Sequence, residues 1–269
     1  MQVLWLTAHP EPRSLNGSLH HEGLRFLQEQ GHEVRTSDLY AMGWNPVVTA
    51  EDFSRPTPGE GAERLVVGSA AEEAVRRGTL APDIIAEHDK LAWADTLIVQ
   101  FPLWWYGMPA ILKGWFDRVF VRGFAFGLHD DQGRQLRYGE GALAGKRAMV
   151  VVSAGAREAS LGERGINGSL SDLLFPLQHG TLWYAGIDVV PPLLVHGADR
   201  MDATAYAAHA DALRRRLKDL PHTRPLPFRR QNGGDYDENL VLRPELDSAT
   251  TGLAAHYSTA AEAPTPGST

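Results

Sequence analysis

Three consecutive aromatic residues, Trp104, Trp105 and Tyr106, lie in a segment bounded by proline and glycine. The segment follows an apolar run with a β-branched centre, residues 96–101, which is typical of a strand buried on both faces. Pro109 suits the first turn of a helix, so the aromatic residues occupy a strand-to-helix loop. Such loops lie at the carboxyl edge of a parallel sheet, where ligands bind. Rings in this position can stack on a flat ligand, and core packing or a dimer contact is the competing interpretation.

A second candidate site follows the first predicted strand, residues 3–7. Residues 8–18 form an irregular loop in which Ser14 and Asn16 both suit the N-cap of a helix that runs to about Gln30. Unpaired amides and the helix dipole at such an N-terminus favour a phosphate group. An ordinary capped helix is the simpler interpretation, because the chain has neither a Walker A motif nor G-x-G-x-x-G here.

A third loop contains only small residues, Ser153, Ala154, Gly155 and Ala156. It follows the β-branched run 147–153, which predicts another buried strand. Small residues allow the backbone to approach a ligand closely. This loop is therefore the third predicted contribution to a site at the carboxyl edge of the sheet.

Strands and helices alternate along the predicted chain. Strands are predicted at residues 3–7, 32–39, 96–101, 147–153 and 187–195. Helices are predicted up to about residue 30, between residues 62 and 77, and at 82–94, 109–120, after residue 168 through 184, and at 202–220. This alternation predicts an α/β fold with a doubly wound, five-stranded parallel sheet and right-handed crossovers. With ligand loops after the first, third and fourth strands, the flavodoxin-like order 2-1-3-4-5 fits best.

The composition argues against several kinds of site. The chain has 269 residues, 43% of them apolar, which is enough for a large core, and it lacks the cysteines that disulfides and thiolate chemistry need. A net charge of -7 gives no support for nucleic-acid binding, and the 11 histidines show no metal-ligand spacing. No apolar run approaches the ~18 residues of a membrane span. We expect a cytoplasmic protein without nucleic-acid or membrane partners, since residues 1–6 predict a strand and not a signal peptide.

The aromatic loop belongs to a longer motif. Pro102 and Leu103 precede the three aromatic residues, which are followed by Gly107-x-Pro109 and Leu112-Lys113-Gly114-Trp115-Phe116. With these residues the stretch resembles the NAD(P)H:quinone oxidoreductases of the flavodoxin-like fold. The resemblance extends from Val3 to about Tyr257 and includes residues 37–46 and 176–182.

This resemblance implies a bound flavin, with FAD favoured over FMN, and NAD(P)H as co-substrate. It implies that the flavin diphosphate binds at a pattern formed by His9, Ser14, Leu15, Asn16, Gly17 and Ser18. It implies that the flavin ring lies beside Pro102, Leu103, Trp104, Trp105 and Tyr106, and that its pyrimidine edge meets the backbone of Ser153, Ala154, Gly155 and Ala156. Asp117 and Leu161 complete the implied cofactor-binding set.

The resemblance also implies which residues meet the substrates. The implied catalytic residues are Trp105, Tyr106, Gly155 and Asn167, and the implied substrate-binding residues are Phe126, Leu128, Asn167 and Tyr184. In this interpretation Trp105 and Tyr106 form one wall of the pocket, with Phe126, Leu128 and Tyr184 opposite.

The chain departs from that family at several of these positions. Phe126 and Leu128 stand where studied members carry two tyrosines. Aligning on Gly165-Ile166-x-Gly168 puts Leu161 and Asn167 where those members use a tyrosine and a histidine to balance charge on the reduced flavin. Neither of these side chains titrates near neutral pH. We therefore expect backbone amides of residues 153–156, Asn167 as a neutral donor, or water to meet that charge.

The composition changes after residue 220. We predict a flavin-binding domain at residues 1–220, an extension at 221–258 that packs on the partner of a homodimer, and a disordered tail at 259–269. In animal members of the family a similar segment lies near the other subunit's active site. The resemblance thus implies two sites built across a dimer interface.

A site rich in aromatic residues and poor in acids and bases fits a cofactor that carries the chemistry itself. The resemblance implies hydride transfer from NAD(P)H through the flavin to a quinone-like acceptor, with ping-pong kinetics in a shared pocket. Two alternatives stay open from the sequence. The acceptor can be an azo, nitro or polycyclic natural-product compound, or the protein can be a flavin-bearing regulatory subunit.

Overall fold

A computed structural model describes residues 1–55, 64–246 and 248–258. Its parallel sheet contains β1 (Gln2–Thr7), β2 (Glu33–Asp38), β3 (Thr96–Pro102), β4 (Arg147–Ser153), β5 (Asp188–Val189) and β6 (Leu193–Val195). Its α-helices are α1 (Leu15–Glu29), α2 (Val67–Arg77), α3 (Pro82–Trp93), α4 (Ala110–Val119), α5 (Leu170–Leu177) and α6 (Ala203–Asp219). A π-helix, Gln178–Trp183, continues α5.

The strands are ordered β2-β1-β3-β4-β5, with β6 also paired to β4. This arrangement confirms the predicted α/β fold and the strand order 2-1-3-4-5. In the register of the sheet, Thr7 pairs with Gln100 and Pro102 pairs with Ser153. The loops that follow β1, β3 and β4 therefore leave the sheet side by side at its carboxyl edge, as the sequence predicts.

The last predicted strand, residues 187–195, is interrupted in the structure. Its two pieces, β5 and β6, both pair with β4. Pro191 and Pro192 lie between them, and proline has no backbone N–H to donate to the ladder. The sequence indicates that these prolines break the end of the strand, whereas in the structure they divide it in the middle, with both pieces beside β4.

The predicted helix 168–184 is also not uniform. It begins after Ser169, whose side chain accepts a hydrogen bond from the Asp172 amide at 3.1 Å, and it contains Pro176. A proline inside a helix removes one hydrogen bond and crowds the preceding turn. The helix widens into the π-helix two residues later.

Helices cover both faces of the sheet. On one face, Trp5 and Leu19 belong to a core cluster that also contains Leu213 and Leu217 of α6. On the other face, α3, α4 and α5 pack on the side chains of alternate strand residues such as Leu4 and Leu6 of β1. Burial on both faces explains why β1, β3 and β4 are almost continuous apolar runs.

The residues after α6 fold back on their own chain. Phe228 is buried and pairs with Tyr257, and its ring lies 6.1 Å from those of Phe175 and Trp183. This segment thus packs on α5 and the π-helix. The boundary at residue 220 and the contact of the extension with a second copy remain predictions, and the tail at 259–269 lies outside the described residues. No helix in the described ranges is long and apolar enough to cross a membrane.

Candidate active site

The loop after β3 contains a tight turn that exposes its aromatic residues. Trp104 and Gly107 exchange two backbone hydrogen bonds of 3.1 and 3.0 Å. The two residues between them, Trp105 and Tyr106, have positive φ angles of 49° and 60°. Bulky side chains rarely adopt this left-handed conformation, and such strain clusters at functional sites. Trp105 is 97% exposed, which excludes core packing within this chain.

A pocket of about 270 Å³ lies beside this turn. It is lined by Leu103, Trp105, Tyr106, Ala154, Gly155, Ala156, Leu161 and Asn167. We call it the Trp105 pocket. The structure thus brings together the aromatic loop, the small-residue loop and two of the four positions, Leu161 and Asn167, at which the resemblance implies a departure from the quinone reductases.

A chain of hydrogen bonds links the two sides of the Trp105 pocket. The Tyr106 hydroxyl donates to Asn167 Oδ1 at 3.0 Å, and Asn167 Nδ2 donates to Ser160 Oγ at 3.1 Å. Ser160 Oγ in turn donates to the Arg157 carbonyl at 2.7 Å. The sequence offered no signal for Ser160, because its role depends on the path of the loop between residues 157 and 167.

The backbone of the small-residue loop faces this pocket. Among the described residues, the amides of Gly155 and Ala156 have no hydrogen-bond partner. The Gly155 carbonyl accepts a hydrogen bond of 3.1 Å from Arg200, which fixes the orientation of the loop. A Cβ at Gly155 would lie 2.0 Å from an Asp199 carboxylate oxygen, so a larger residue would displace that side chain. The loop therefore offers two donors close to the pocket.

The N-terminus of α1 forms the predicted anion cradle. Ser14 is its N-cap, and its hydroxyl accepts a hydrogen bond of 3.2 Å from the Gly17 amide. The Ser18 amide donates to the Ser14 carbonyl, whereas the amides of Leu15 and Asn16 have no partner in the described part of the chain. A Cβ at Gly17 would lie 1.9 Å from the Pro12 carbonyl oxygen, so only glycine fits there.

Asn16 does not share the capping role that the sequence allowed for it. Its side chain is buried and donates to Ser153 Oγ at 2.8 Å. Its carbonyl accepts a hydrogen bond from buried Gln100, which also accepts one from Trp5. This network ties the first loop to the end of β4. Sequence analysis missed Gln100 because a glutamine inside an apolar strand carries no motif.

His9 lies at the rim of the first loop. Its Nδ1 lies 3.1 Å from the Glu11 amide nitrogen and 3.2 Å from the Glu11 carbonyl oxygen, so the backbone of Glu11 fixes the orientation of the ring. The imidazole centroid lies 6.1 Å from that of Trp104, which is 44% exposed. Pro102, two residues before Trp104, is the last residue of β3. The predicted cofactor-binding residues of the loop after β1 and the loop after β3 are thus neighbours.

Asp117 and the predicted substrate-binding residues Phe126, Leu128 and Tyr184 do not line the Trp105 pocket of their own chain. Asp117, Phe126 and Tyr184 line a second pocket of about 310 Å³. We call it the Tyr184 pocket. Asp117 forms an ion pair of 2.5 Å with Lys113, and the Phe126 and Tyr184 ring centroids are 6.2 Å apart. Leu128 lines neither pocket.

Within one chain, Phe126, Leu128 and Tyr184 do not face Trp105, and their place opposite it across a dimer interface remains a prediction. The reason is that Phe126 packs on Tyr184, which immediately follows the π-helix, and both lie on the α4 side of the molecule. Trp105 lies instead in the turn that precedes α4.

The Trp105 pocket is poor in ionisable groups. Among the described residues its lining contains no carboxylate, lysine, arginine or histidine. The described part of the chain also holds no group of three or more His, Cys, Asp or Glu that could bind a metal ion. Aromatic rings, unpaired amides and a capped helix are what a bound cofactor requires of a protein.

Known proteins that are similar to this chain have the same fold and include quinone reductases. Residues 1–217 match the family described as flavodoxin-like fold. The chain belongs to this family. A crystal structure from Klebsiella pneumoniae, described provisionally as a quinone reductase, is 50% identical with a TM-score of 0.89 and covers 96% of this chain and 100% of its own.

Two relatives match a similarly large part of the chain in sequence. The ribosyldihydronicotinamide dehydrogenase-like protein traD of Penicillium crustosum is 47% identical over 238 residues, 88% of this chain and 87% of the relative. Human ribosyldihydronicotinamide dehydrogenase [quinone] is 37% identical over 226 residues, 84% of this chain and 94% of the relative. These relatives confirm the resemblance to the quinone oxidoreductases that the aromatic loop indicates.

Proposed function

We propose that this protein is a flavin-dependent NAD(P)H dehydrogenase that passes a hydride to a quinone-like acceptor. The observation that carries the proposal is the strained turn at Trp105 and Tyr106, which exposes two aromatic rings beside the unpaired amides of Gly155 and Ala156. A human relative named as a quinone dehydrogenase matches 84% of the chain at 37% identity. Steady-state oxidation of NADPH with a small quinone tests it directly.

The residues present fit a flavin. Trp105 and Tyr106 would flank the ring, Leu103 and Leu161 would supply apolar contacts, and Gly155 would approach the pyrimidine edge. The free amides at the start of α1 would hold the diphosphate, with His9 and Ser18 beside them. When bound, the flavin supplies reversible hydride transfer. The protein then has to orient both substrates, exclude water and stabilise the negative charge of the reduced flavin ring.

The charge of the reduced ring would be met by neutral donors. Gly155 and Ala156 offer the unpaired amides, and their preorganised dipoles would stabilise negative charge without a titrating side chain. Asn167 would add a further neutral donor, because its side-chain amide has two protons and only one of them is donated to Ser160. Its position is fixed by Tyr106, so the donor would require no reorganisation.

We further propose that the flavin is FAD and that the working form is a homodimer. A second copy would supply Phe126 and Tyr184 as the wall opposite Trp105, and Asp117 would lie near the outer part of the cofactor. The exposure of Trp105 and the separation of the two pockets support this arrangement. An extract that contains only FMN, or a monomer at micromolar concentration in sedimentation, would contradict it.

NADH or NADPH and the acceptor would then occupy the same place in turn, which implies ping-pong kinetics. Parallel lines in double-reciprocal plots test this. A panel of azo, nitro and polycyclic acceptors distinguishes a quinone reductase from an enzyme with another acceptor. A protein that binds flavin without turnover would be a regulatory subunit. We also propose a cytoplasmic location without nucleic-acid or membrane partners, which fractionation of cells tests.

A further inference from the structure

A third pocket, of about 440 Å³, lies between α5, the π-helix and the C-terminal extension. Its walls are largely rings: Tyr138 and Phe175 lie 4.9 and 4.5 Å from His179, and Tyr236 lies 6.0 Å from His256. Leu240 and Leu253 close part of it. We call it the His179 pocket. Its aromatic walls are shaped for a flat ligand.

Backbone strain is concentrated around this pocket and the Trp105 pocket. The non-glycine residues with positive φ in the described part of the chain are Ser54, Trp105, Tyr106, Tyr138 and Leu240. Tyr138, at 50°, and Leu240, at 62°, both line the His179 pocket, just as Trp105 and Tyr106 line theirs. Strained residues persist where the surrounding structure fixes a functional arrangement. The His179 pocket shares this property with the proposed flavin site.

The π-helix supplies a second indication. Such helices are rare and often mark functional sites, because the wider turn re-aims side chains. Here the widened turn places His179 and Gly180 on the pocket wall. Burial, and then the proximity of His256, lowers the pKa of His179 to about 4, so the ring is uncharged at neutral pH. No described residue hydrogen-bonds its imidazole, which therefore offers a donor and an acceptor to a ligand.

The pocket also carries one uncompensated positive charge. Arg229 is buried and neutralised by Asp235 at 2.7 Å. Arg137 donates to the neutral side chain of Gln231 and has no carboxylate partner in the described part of the chain. A guanidinium at the edge of an aromatic pocket favours a planar ligand with a carboxylate.

We propose that the His179 pocket binds a planar aromatic ligand with an acidic group, held by Arg137 and stacked between the rings of the pocket. The ligand we assign is the outer, acidic part of the electron acceptor, and this assignment rests on the proposed function. Pro176 and Gly180 line both the His179 and the Tyr184 pocket, and the Arg137 guanidinium lies 5.9 Å from the centre of the Tyr184 ring. An acceptor that spans both pockets would thus be a polycyclic acid.

Paired probes test the proposal at equilibrium. Anthraquinone-2-carboxylate and its uncharged primary amide differ in charge but not in ring size, and calorimetric titration of the purified full chain gives both dissociation constants. We expect the carboxylate to bind about tenfold more tightly or better, as one charge-assisted hydrogen bond implies. Arg137→Met should abolish this preference, Arg137→Lys should retain most of it, and Arg230→Met, at a neighbouring exposed arginine, should leave it unchanged.

Equal affinity for the two probes, or a preference that survives Arg137→Met, would overturn the proposal. Because the readout is a ratio within each variant, a change in fold stability does not imitate the result. The link to the acceptor is tested by inhibition of menadione reduction, in which the carboxylate should compete with menadione. Non-competitive inhibition would reject the link. A protein that binds the carboxylate but reduces no quinone would refute the proposed function and leave the pocket assignment intact.

Discussion

The Tyr106 hydroxyl donates a hydrogen bond of 3.0 Å to the side-chain oxygen of Asn167. This contact joins the strained aromatic turn to the loop that carries Leu161. It also shows how the chain uses a position at which the resemblance to the quinone reductases implies a histidine. Asparagine has no proton to release, so it can orient Tyr106 and donate a neutral hydrogen bond but cannot relay charge.

The first prediction concerns Asn167→Ala. We expect flavin reduction by NAD(P)H to slow by about tenfold or less, because one neutral hydrogen bond is worth ~1.4 kcal/mol at most in the transition state. We also expect the rate to show no ionisation that depends on residue 167. Stopped-flow measurements from pH 5 to 9 on the wild type and the variant test both statements.

An ionisation near pH 6–7 that disappears when His9 or another histidine is replaced would contradict this account. It would mean that a charge relay exists at a different place in the site. Replacement of Asn45, an exposed asparagine whose side chain accepts a hydrogen bond only from the Val47 amide in the described structure, serves as a control and should leave the rate unchanged.

The second prediction concerns Trp105→Ala. Because Trp105 is 97% exposed, the melting temperature of the flavin-free protein should stay close to that of the wild type. Flavin retention or kcat should fall, since the ring no longer covers the cofactor. Trp115→Ala is the contrast: Trp115 is fully buried and donates to buried Glu87, so its loss should cost ~3–5 kcal/mol of unfolding free energy.

A Trp105→Ala protein that melts far earlier without flavin, yet binds flavin normally, would mean that Trp105 is a packing residue. Calorimetry of both flavin-free variants and titration with flavin decide between these outcomes.

The fold was predictable because the hydrophobic pattern of the strands and helices and the residue types of the connecting loops both indicate the same α/β arrangement. Buried strands such as β4 stand out as β-branched runs, and the small-residue loop after β4 occurs where the switch-point rule requires it. The place of Trp105 in a loop at the carboxyl edge of the sheet was predictable from the strand and helix signals on either side of it, whereas the close approach of Gly17 to Pro12 was not. Burial of Asn16 against Ser153 was not predictable, because it depends on a contact between residues 137 positions apart.

Two other differences between the predicted and the observed structure also depend on contacts with neighbouring elements. The break at Pro191 was visible in the sequence, but its effect on a strand depends on which partner the missing amide would have met. The assignment of Phe126 and Tyr184 to the Tyr184 pocket needed the packing of the π-helix, which has no sequence signal. The family resemblance indicated that Phe126 and Tyr184 are substrate-binding residues, but it did not indicate where they lie relative to Trp105 of the same chain.

The third prediction concerns Gly17→Ala. The new Cβ would meet the Pro12 carbonyl carbon at 2.6 Å and its oxygen at 1.9 Å, and backbone atoms cannot move aside easily. We expect a loss of unfolding free energy of about 1–3 kcal/mol and weaker flavin binding, because the loop at the start of α1 must shift. Gly68→Ala is the control, since its nearest neighbour is Arg122 at 3.9 Å. Urea unfolding of the wild type and both variants tests this. If Gly17→Ala lost no more unfolding free energy than Gly68→Ala, the close approach of Gly17 to the Pro12 carbonyl would be refuted.

The fourth prediction concerns pH. Burial lowers the pKa of His20 to about 4, and the nearby His21 adds to this effect. In the unfolded chain a histidine titrates near 6.5. As the pH falls below about 6.5, the unfolded state binds a proton that the folded state refuses, so stability decreases until the pH reaches about 4. Between pH 7 and 5 this histidine alone should cost about 2 kcal/mol.

His20→Gln should reduce that loss of stability, because glutamine does not titrate. Urea unfolding at pH 7 and pH 5 gives the difference for each protein. An identical pH dependence in the wild type and the variant would show that His20 is protonated in the folded state at pH 5.

The flavin content of the purified protein tests the central claim most directly. Heat releases the cofactor, and chromatography separates FAD from FMN. The account predicts that FAD is released in an amount close to that of the protein chain. A protein that holds no flavin, even after incubation with FAD and FMN followed by gel filtration, would contradict it.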